Sequence, residues 1–266
     1  MAGIHRHKLK RASKWLHPKL LAAKYYKFLN VYVVKQFEDI INSLIIPKLN
    51  FLYEDLSFKR PINDTYIDDL KTIFNSTQAS IDKQINPDAQ QAFLLDTANN
   101  VNNFNKKQFK KVAKSVLGVD VFTAEPWLEQ ELGNFVVQNT SLIKSIKNQG
   151  LEDVKGVVTR GFQQGLRPED ITKQIQARYD IVKNRAKLIA RDQIAKLNSN
   201  FSQLRQVGAG VSEYVWKTAE DERVRALHEE RDGLKFSWDN PPDDGNPGEP
   251  VNCRCYAEPV FDVTAQ

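Results

Sequence analysis

The residues best suited to chemistry lie towards the C-terminal end of the chain: His228, Cys253 and Cys255, with the carboxylates Asp221 and Asp232 close by in sequence. An imidazole and two thiolates are preferred zinc ligands, and Asp221 or Asp232 would complete a tetrahedron. Yet Cys-x-Cys is not the Cys-x-x-Cys of a zinc knuckle, and two cysteines are few for a closed structural site. The same residues also make sense without a metal. Both thiols then pack as small buried hydrophobes, His228 hydrogen-bonds Asp232 one helical turn on, and Arg254 pairs with Asp221 or another acid. The metal-free arrangement is the preferred one.

A catalytic site is poorly supplied. The chain has no phosphate-binding glycine loop, nucleophile elbow, metalloprotease helix or dinucleotide fingerprint. Only one histidine, His228, follows residue 17, which leaves little for general acid–base work. No catalytic residue is assigned and no enzyme is expected. The alternatives are a metal-dependent nuclease built on His228 and neighbouring carboxylates, or a DNA-binding protein unrelated to capsids.

Positioning these groups needs a helix, a loop and a strand. Val215 and Trp216 end an apolar-alternating run, and Thr218 stands three residues before Asp221 in a capping-box arrangement. A helix from Thr218, stopped by Gly233, would place Asp221, Arg225, His228 and Asp232 on one face. The stretch 241–250 holds Pro241, Pro242, Pro247 and Pro250 and reads as a rigid, turn-rich loop. Cys253 and Cys255 sit two apart, so an extended strand would point both sulfurs to one side and Arg254 to the other.

The run Trp216-x-Thr218-Ala219-x-Asp221-x-Arg223-Val224-Arg225-x-x-His228, then Asp232-Gly233-x-x-Phe236, a Pro-rich loop with Pro247 and Gly248, and Asn252-Cys253-Arg254-Cys255 resembles the phage Mu F-like minor head protein (head morphogenesis) family of tailed bacteriophages. Many members carry His-Pro directly before Asn-Cys-Arg-Cys, where this chain has Pro250-Val251. A looser likeness extends upstream through 165–171 and 190–192. The resemblance implies a minor capsid protein located in the virion, inside the head, and in the host cytoplasm during assembly. Its implied partners are the portal protein, scaffold or major capsid subunits, and DNA during packaging or ejection. Trp216, Thr218, Asp221, Arg225, His228, Asp232, Gly233, Asn252, Cys253, Arg254 and Cys255 form the C-terminal motif, with a structural or binding role. No cofactor is expected, zinc on His228, Cys253 and Cys255 being the alternative to the metal-free arrangement.

Length and charge set the wider frame. The chain has 266 residues and a formal charge of +5, enough for one large domain or two ordinary ones. Two cysteines one residue apart suit reduced thiols in a cytosolic setting. No apolar run is long enough for a membrane span, and no apolar signal segment opens the sequence. No acid occurs before Glu38, whereas Arg6, Lys8, Lys10, Arg11, Lys14 and Lys19 crowd the start. Such an arm suits non-specific contact with DNA phosphates, although a solubilising tail has the same composition. Trp15, Tyr25 and Tyr26 are further candidates for stacking on bases, with core packing the commoner fate. His5, His7 and His17 would add charge at mildly acid pH.

The expected fold class is mainly α with a small α+β C-terminal module. Residues 1–17 form the basic arm, 18–125 an N-terminal helical region, 126–210 a central helical region, and 211–266 the module. Apolar residues from Leu21 to Leu44 recur at threes and fours, an aromatic stripe suited to other helices or a partner protein. Pro47 should end or bend that helix. A break is expected within 99–103, where four asparagines weaken a helix. Gly150, Gly156 and Gly161 should weaken the next one. A short helix with Ile171, Ile175 and Tyr179 precedes a further one ending at 208–210, whose exposed side carries Lys183, Arg185, Lys187, Arg191, Lys196 and Arg205. Strands are expected at 211–217, 234–238 and 254–261, as a small antiparallel sheet beside the Thr218 helix.

Overall fold

The computed structural model describes residue 13 and residues 15–57, 64–121 and 123–261. Arg6, Lys8, Lys10, Arg11 and Lys14 of the arm lie outside the described residues. The architecture is mainly helical with a three-stranded sheet near the C-terminus, the expected class. Contacts divide the chain into two compact units, one of residues 1–22, 95–135 and 191–266, the other of 23–94 and 136–190. Three long helices, α5 (Gln91–Leu117), α6 (Leu128–Gln163) and α7 (Pro168–Gly208), contribute a segment to each. Among the described residues no helix is long and apolar enough to cross a membrane.

In the unit of residues 23–94 and 136–190 the regular elements among the described residues are all helices. Its first helix, α1 (Lys19–Leu29), runs through a π-helical stretch, Asn30–Lys35, into α2 (Gln36–Leu44). The break comes at Ile45, and Pro47 sits in the first turn of α3 (Ile46–Ser57), where its missing N–H leaves no bond unmade. The aromatic stripe is consumed internally: Tyr25, Leu29, Val33, Phe37 and Ile41 are fully buried. It is therefore not a free docking face. Tyr25 donates its hydroxyl to Asn139 Oδ1 at 2.8 Å, and Phe28 stacks on Phe93 with ring centroids 3.9 Å apart. Tyr25 is a core residue and not a base-stacking platform.

The glycines of α6 do not weaken it visibly, because two of them let side chains approach its backbone. A Cβ on Gly150 would lie 3.0 Å from Phe37 Cζ and 3.1 Å from Val182 Cγ2. One on Gly161 would lie 2.6 Å from Ile171 Cγ1, and Ile171 is completely buried. Gly161→Ala should therefore destabilise this unit by about 1–3 kcal/mol through overpacking, against which better helix propensity returns at most ~1 kcal/mol. A urea titration followed by circular dichroism checks this, and a gain in stability would contradict the packing argument.

Two helical expectations need correction. The short helix and its successor are one continuous helix, α7, because nothing between Tyr179 and Ala186 breaks the hydrogen-bond ladder. Nor does α5 break within 99–103. Asn99 and Asn100 donate their side-chain amides to the carbonyls of Leu95 and Asp96 one turn back, so they follow the helix instead of competing with it. Asn102 and, in the next turn, Asn105 are buried and meet α7.

That meeting point organises the second unit and corrects Arg205, which is not on an exposed basic face. Arg205 has no solvent-exposed surface. Its Nε donates to Glu125 Oε1 at 3.0 Å, and its two terminal nitrogens donate to Asn105 Oδ1 and Asn102 Oδ1. The guanidinium also lies 5.4 Å from the ring centroids of both Trp127 and Phe201. Asn105 in turn donates to Asn198 O and Ser202 Oγ, each at 2.8 Å. Trp15 is buried with Phe109 and Val112, which removes it too from base stacking.

The sheet follows α7. Strands β1 (Glu213–Lys217), β2 (Lys235–Ser237) and β3 (Tyr256–Pro259) fall within the three expected ranges, and their order is β2-β1-β3, all antiparallel. Tyr214 pairs with Phe236, and Trp216 with Ala257, which points Tyr214 and Trp216 to the same covered face.

Candidate functional site

The C-terminal motif is built on β1. Tyr214 and Trp216 are fully buried and cluster with Trp238, Cys253, Cys255 and Ala257. Trp216 meets the His228 ring edge-on at 5.1 Å, and the Arg231 guanidinium lies 5.1 Å from the Trp216 ring centroid. Thr218 donates its backbone N–H to Asp232 Oδ1 at 2.8 Å, and Gly233 donates its own to Trp216 O. Gly233 has φ +82°, the left-handed conformation expected of it.

The helix from Thr218 to Asp232 does not form. Residues 221–224 are turns, and helix α8 spans only Ala226–Glu230. Glu220 takes φ +54°, and Asp221 accepts the Arg223 N–H at 3.1 Å, a local side-chain bond that competes with helix. Asp221, Arg225, His228 and Asp232 therefore serve different partners and do not line one helical face. Asp221 takes both terminal nitrogens of Arg254, the pairing expected, and that fork holds its carboxyl down at about 2. Arg225 donates to Val251 O at 2.7 Å. Asp232 caps Thr218 and does not reach His228.

His228 is buried and its Nε2 contacts Asp244 Oδ2 at 2.9 Å, an acid in the proline loop. Asp244 also accepts from Arg231. Burial alone would raise the Asp244 pKa, but the hydrogen bonds and charges of Arg231 and His228 outweigh it and bring it below the ordinary value. The loop itself is anchored. Asn246 accepts from the Tyr214 hydroxyl at 2.9 Å and donates backbone and side-chain N–H groups to Glu249. Gly248 takes φ +95° with Ser199 against the position a Cβ would occupy, so only glycine fits there.

The two thiols converge on His228 from the other side. Its Nδ1 lies 3.6 Å from Cys253 Sγ and 3.5 Å from Cys255 Sγ, and both cysteines are buried and unoxidised. They precede β3 in an irregular stretch, with Asn252 at φ +57°, yet both still face the same imidazole. The hydrogen bond from Cys255 pulls the Cys253 thiol down to about 6, while giving that bond, with burial, pushes the Cys255 thiol up.

Three contributors were not legible as site residues. Asp244 supplies the histidine's acid in place of Asp232. Asp192 of α7 accepts the Asn252 backbone N–H at 2.8 Å. His17 is not a surface charge: burial lowers its pKa, only partly opposed by a hydrogen bond with the Arg254 backbone. No spacing rule links residues so far apart in sequence. Beside the motif lies a cavity of about 420 Å³ bordered by His228, both cysteines and five cations, Lys19, Arg191, Arg223, Arg225 and Arg254. Of the arm residues named for DNA contact, Lys19 is the one within the described residues.

Residues 152–258 match the family described as Phage Mu protein F like protein, so the likeness carried by the motif is shown over that segment. An uncharacterized protein of Haemophilus influenzae (strain ATCC 51907 / DSM 11121 / KW20 / Rd) is 36% identical over 157 residues, covering 58% of this chain and 35% of the relative. The chain thus spans about a third of that relative's length. No solved structure matches significantly.

Proposed function

We propose, from the Phage Mu protein F likeness of residues 152–258, that this chain is a minor head protein of a tailed phage or prophage. It acts by binding, without catalysis of its own, and associates with the portal vertex inside the head. The match over the segment that carries the C-terminal motif is the observation on which this rests. The engagement of both His228 ring nitrogens favours a bracing role for the motif over a freely accessible base. With the aromatic stripe of α1 and α2 buried, the contact with portal or scaffold falls to other surfaces. The full chain should co-purify with the portal protein of its own phage and be found in heads or their precursors. Absence from both, with the portal present, would overturn the reading.

DNA contact is the finer part of this proposal. Arg6, Lys8, Lys10, Arg11 and Lys14 would neutralise phosphates without reading sequence, and Lys19 continues that charge. Each phosphate neutralised contributes about 0.9 to the slope of log affinity against log salt, so removing residues 1–17 should flatten the slope by up to ~4–5. Fluorescence anisotropy with duplex DNA across a salt series measures this. An unchanged slope would remove the arm from DNA binding and leave the head assignment standing.

A further inference from the structure

We propose that His228 Nδ1, Cys253 Sγ and Cys255 Sγ bind one zinc-class divalent cation, which ties the segment after the proline loop to α8. The three ligand atoms lie within 4.8 Å of one another and all three residues are buried. With Zn–S about 2.3 Å and Zn–N about 2.0–2.1 Å, a tetrahedral ion sets N and S about 3.6 Å apart. The observed separations are 3.6 and 3.5 Å. Ordinary thiol hydrogen bonds account for this less well, because Nδ1 has one in-plane lone pair and cannot accept well from two S–H groups. A cation bound to all three removes that competition.

The surroundings fit the same assignment. Asp244 at Nε2 holds the proton on that nitrogen and leaves the Nδ1 lone pair free, and Arg231 fixes Asp244 in turn. A carboxylate behind a ligating histidine orients the ring and raises its basicity. Gly248 donates its N–H to Cys253 Sγ at 3.4 Å, as a thiolate ligand would accept. The buried Trp216 indole N–H has no hydrogen-bond partner among the described residues and neighbours the Cys255 sulfur, so a thiolate there would satisfy it. Neither Asp221 nor Asp232 belongs to the cluster. Among the described residues the adjoining cavity is bordered by cations and no acid. The fourth position therefore goes to water or a small anion and not to a protein carboxylate.

The test uses the full chain, expressed with zinc in the medium and purified in reductant without chelator. Metal analysis should return about one zinc per chain. Exchange for cobalt(II) should produce the intense visible bands of a tetrahedral site and a near-ultraviolet thiolate-to-cobalt charge-transfer band. Zinc should shield both thiols from alkylation, and a chelator should expose them. A folded wild-type chain holding less than about a tenth of a metal per chain after zinc loading, with no thiolate-to-cobalt band, overturns the proposal. So does a band that persists when Cys253→Ser and Cys255→Ser are combined. Either result leaves the phage-head reading untouched, since that rests on the family match and not on a metal.

Discussion

Replacing Arg205 with alanine should destabilise its unit by about 3–5 kcal/mol, the usual cost of removing one partner from a buried ion pair. The loss is not that of one contact. Glu125 keeps its charge in a largely enclosed place and, among the described residues, is left with Lys106, 3.3 Å away, to answer it. Asn102 and Asn105 each lose the donor to their Oδ1 atoms. Two aromatic rings lose the cation that lies near them. Arg205→Lys keeps the charge but not the fork and should fall between wild type and alanine. Changing Arg205→Met together with Glu125→Leu should recover much of the loss, because the penalty comes from the stranded carboxylate. Chemical denaturation of the four chains provides the measurement; a double variant no more stable than Arg205→Ala would refute that explanation.

The same pair carries a pH dependence. Burial pushes the Glu125 pKa up, but the hydrogen bonds and charges of Arg205 and Lys106 win and hold it below 4.5. Burial also lowers Arg205, against the pull of Glu125, yet a guanidinium has enough basicity to stay charged. The titration that matters is therefore that of Glu125. A depressed folded-state pKa contributes stability that is complete above the unfolded value of 4.5 and disappears as pH falls through the folded one. In Arg205→Ala the carboxyl loses its main partner, so protonating it relieves strain instead of causing it. The stability gap between the two chains should narrow as the pH falls below about 4.5.

The other large effect is expected at Trp216. Its side chain is fully buried, meets β2 and α8 through the rings of Phe236 and His228 and the Arg231 guanidinium, and clusters with Cys253 and Cys255. Trp216→Ala should cost about 3–5 kcal/mol in the C-terminal module, from lost burial plus the cavity left behind. Trp216→Phe preserves part of the volume and should cost less. Because the chain has two compact units, the effect is best read locally. Hydrogen exchange at 213–217 and 256–259 should accelerate far more than exchange in residues 23–94. A uniform change across both units would show that the module does not respond as a separate body.

Much of the fold was legible because it depends on local rules. The left-handed φ that only glycine adopts freely was expected at Gly233, and Gly233 takes it. The strands lie within the three segments expected to be extended. Where local preference was weak, tertiary contacts overruled it. The asparagines of α5 disfavour helix by only tenths of a kcal/mol each, less than their bonds within α5 and to Arg205 contribute. The capping box at Thr218 failed for a related reason: Asp221 is committed to Arg254, thirty-three residues away, and Asp232 to the Thr218 backbone.

By itself, then, the amino-acid order determined which chemical groups the C-terminal module possesses: one imidazole, two thiols two residues apart, and the turns that flank them. It also determined the Phage Mu protein F likeness, which resides in those residue types and their spacing. Only the tertiary structure decided that His228 answers to Asp244 and not Asp232, that both sulfurs meet at one ring nitrogen, and that Arg205 is interior. Spacing along a chain fixes direction within a single helix or strand. Distances between elements are set by packing of the whole core, and a burial of several kcal/mol outweighs any one residue's local preference.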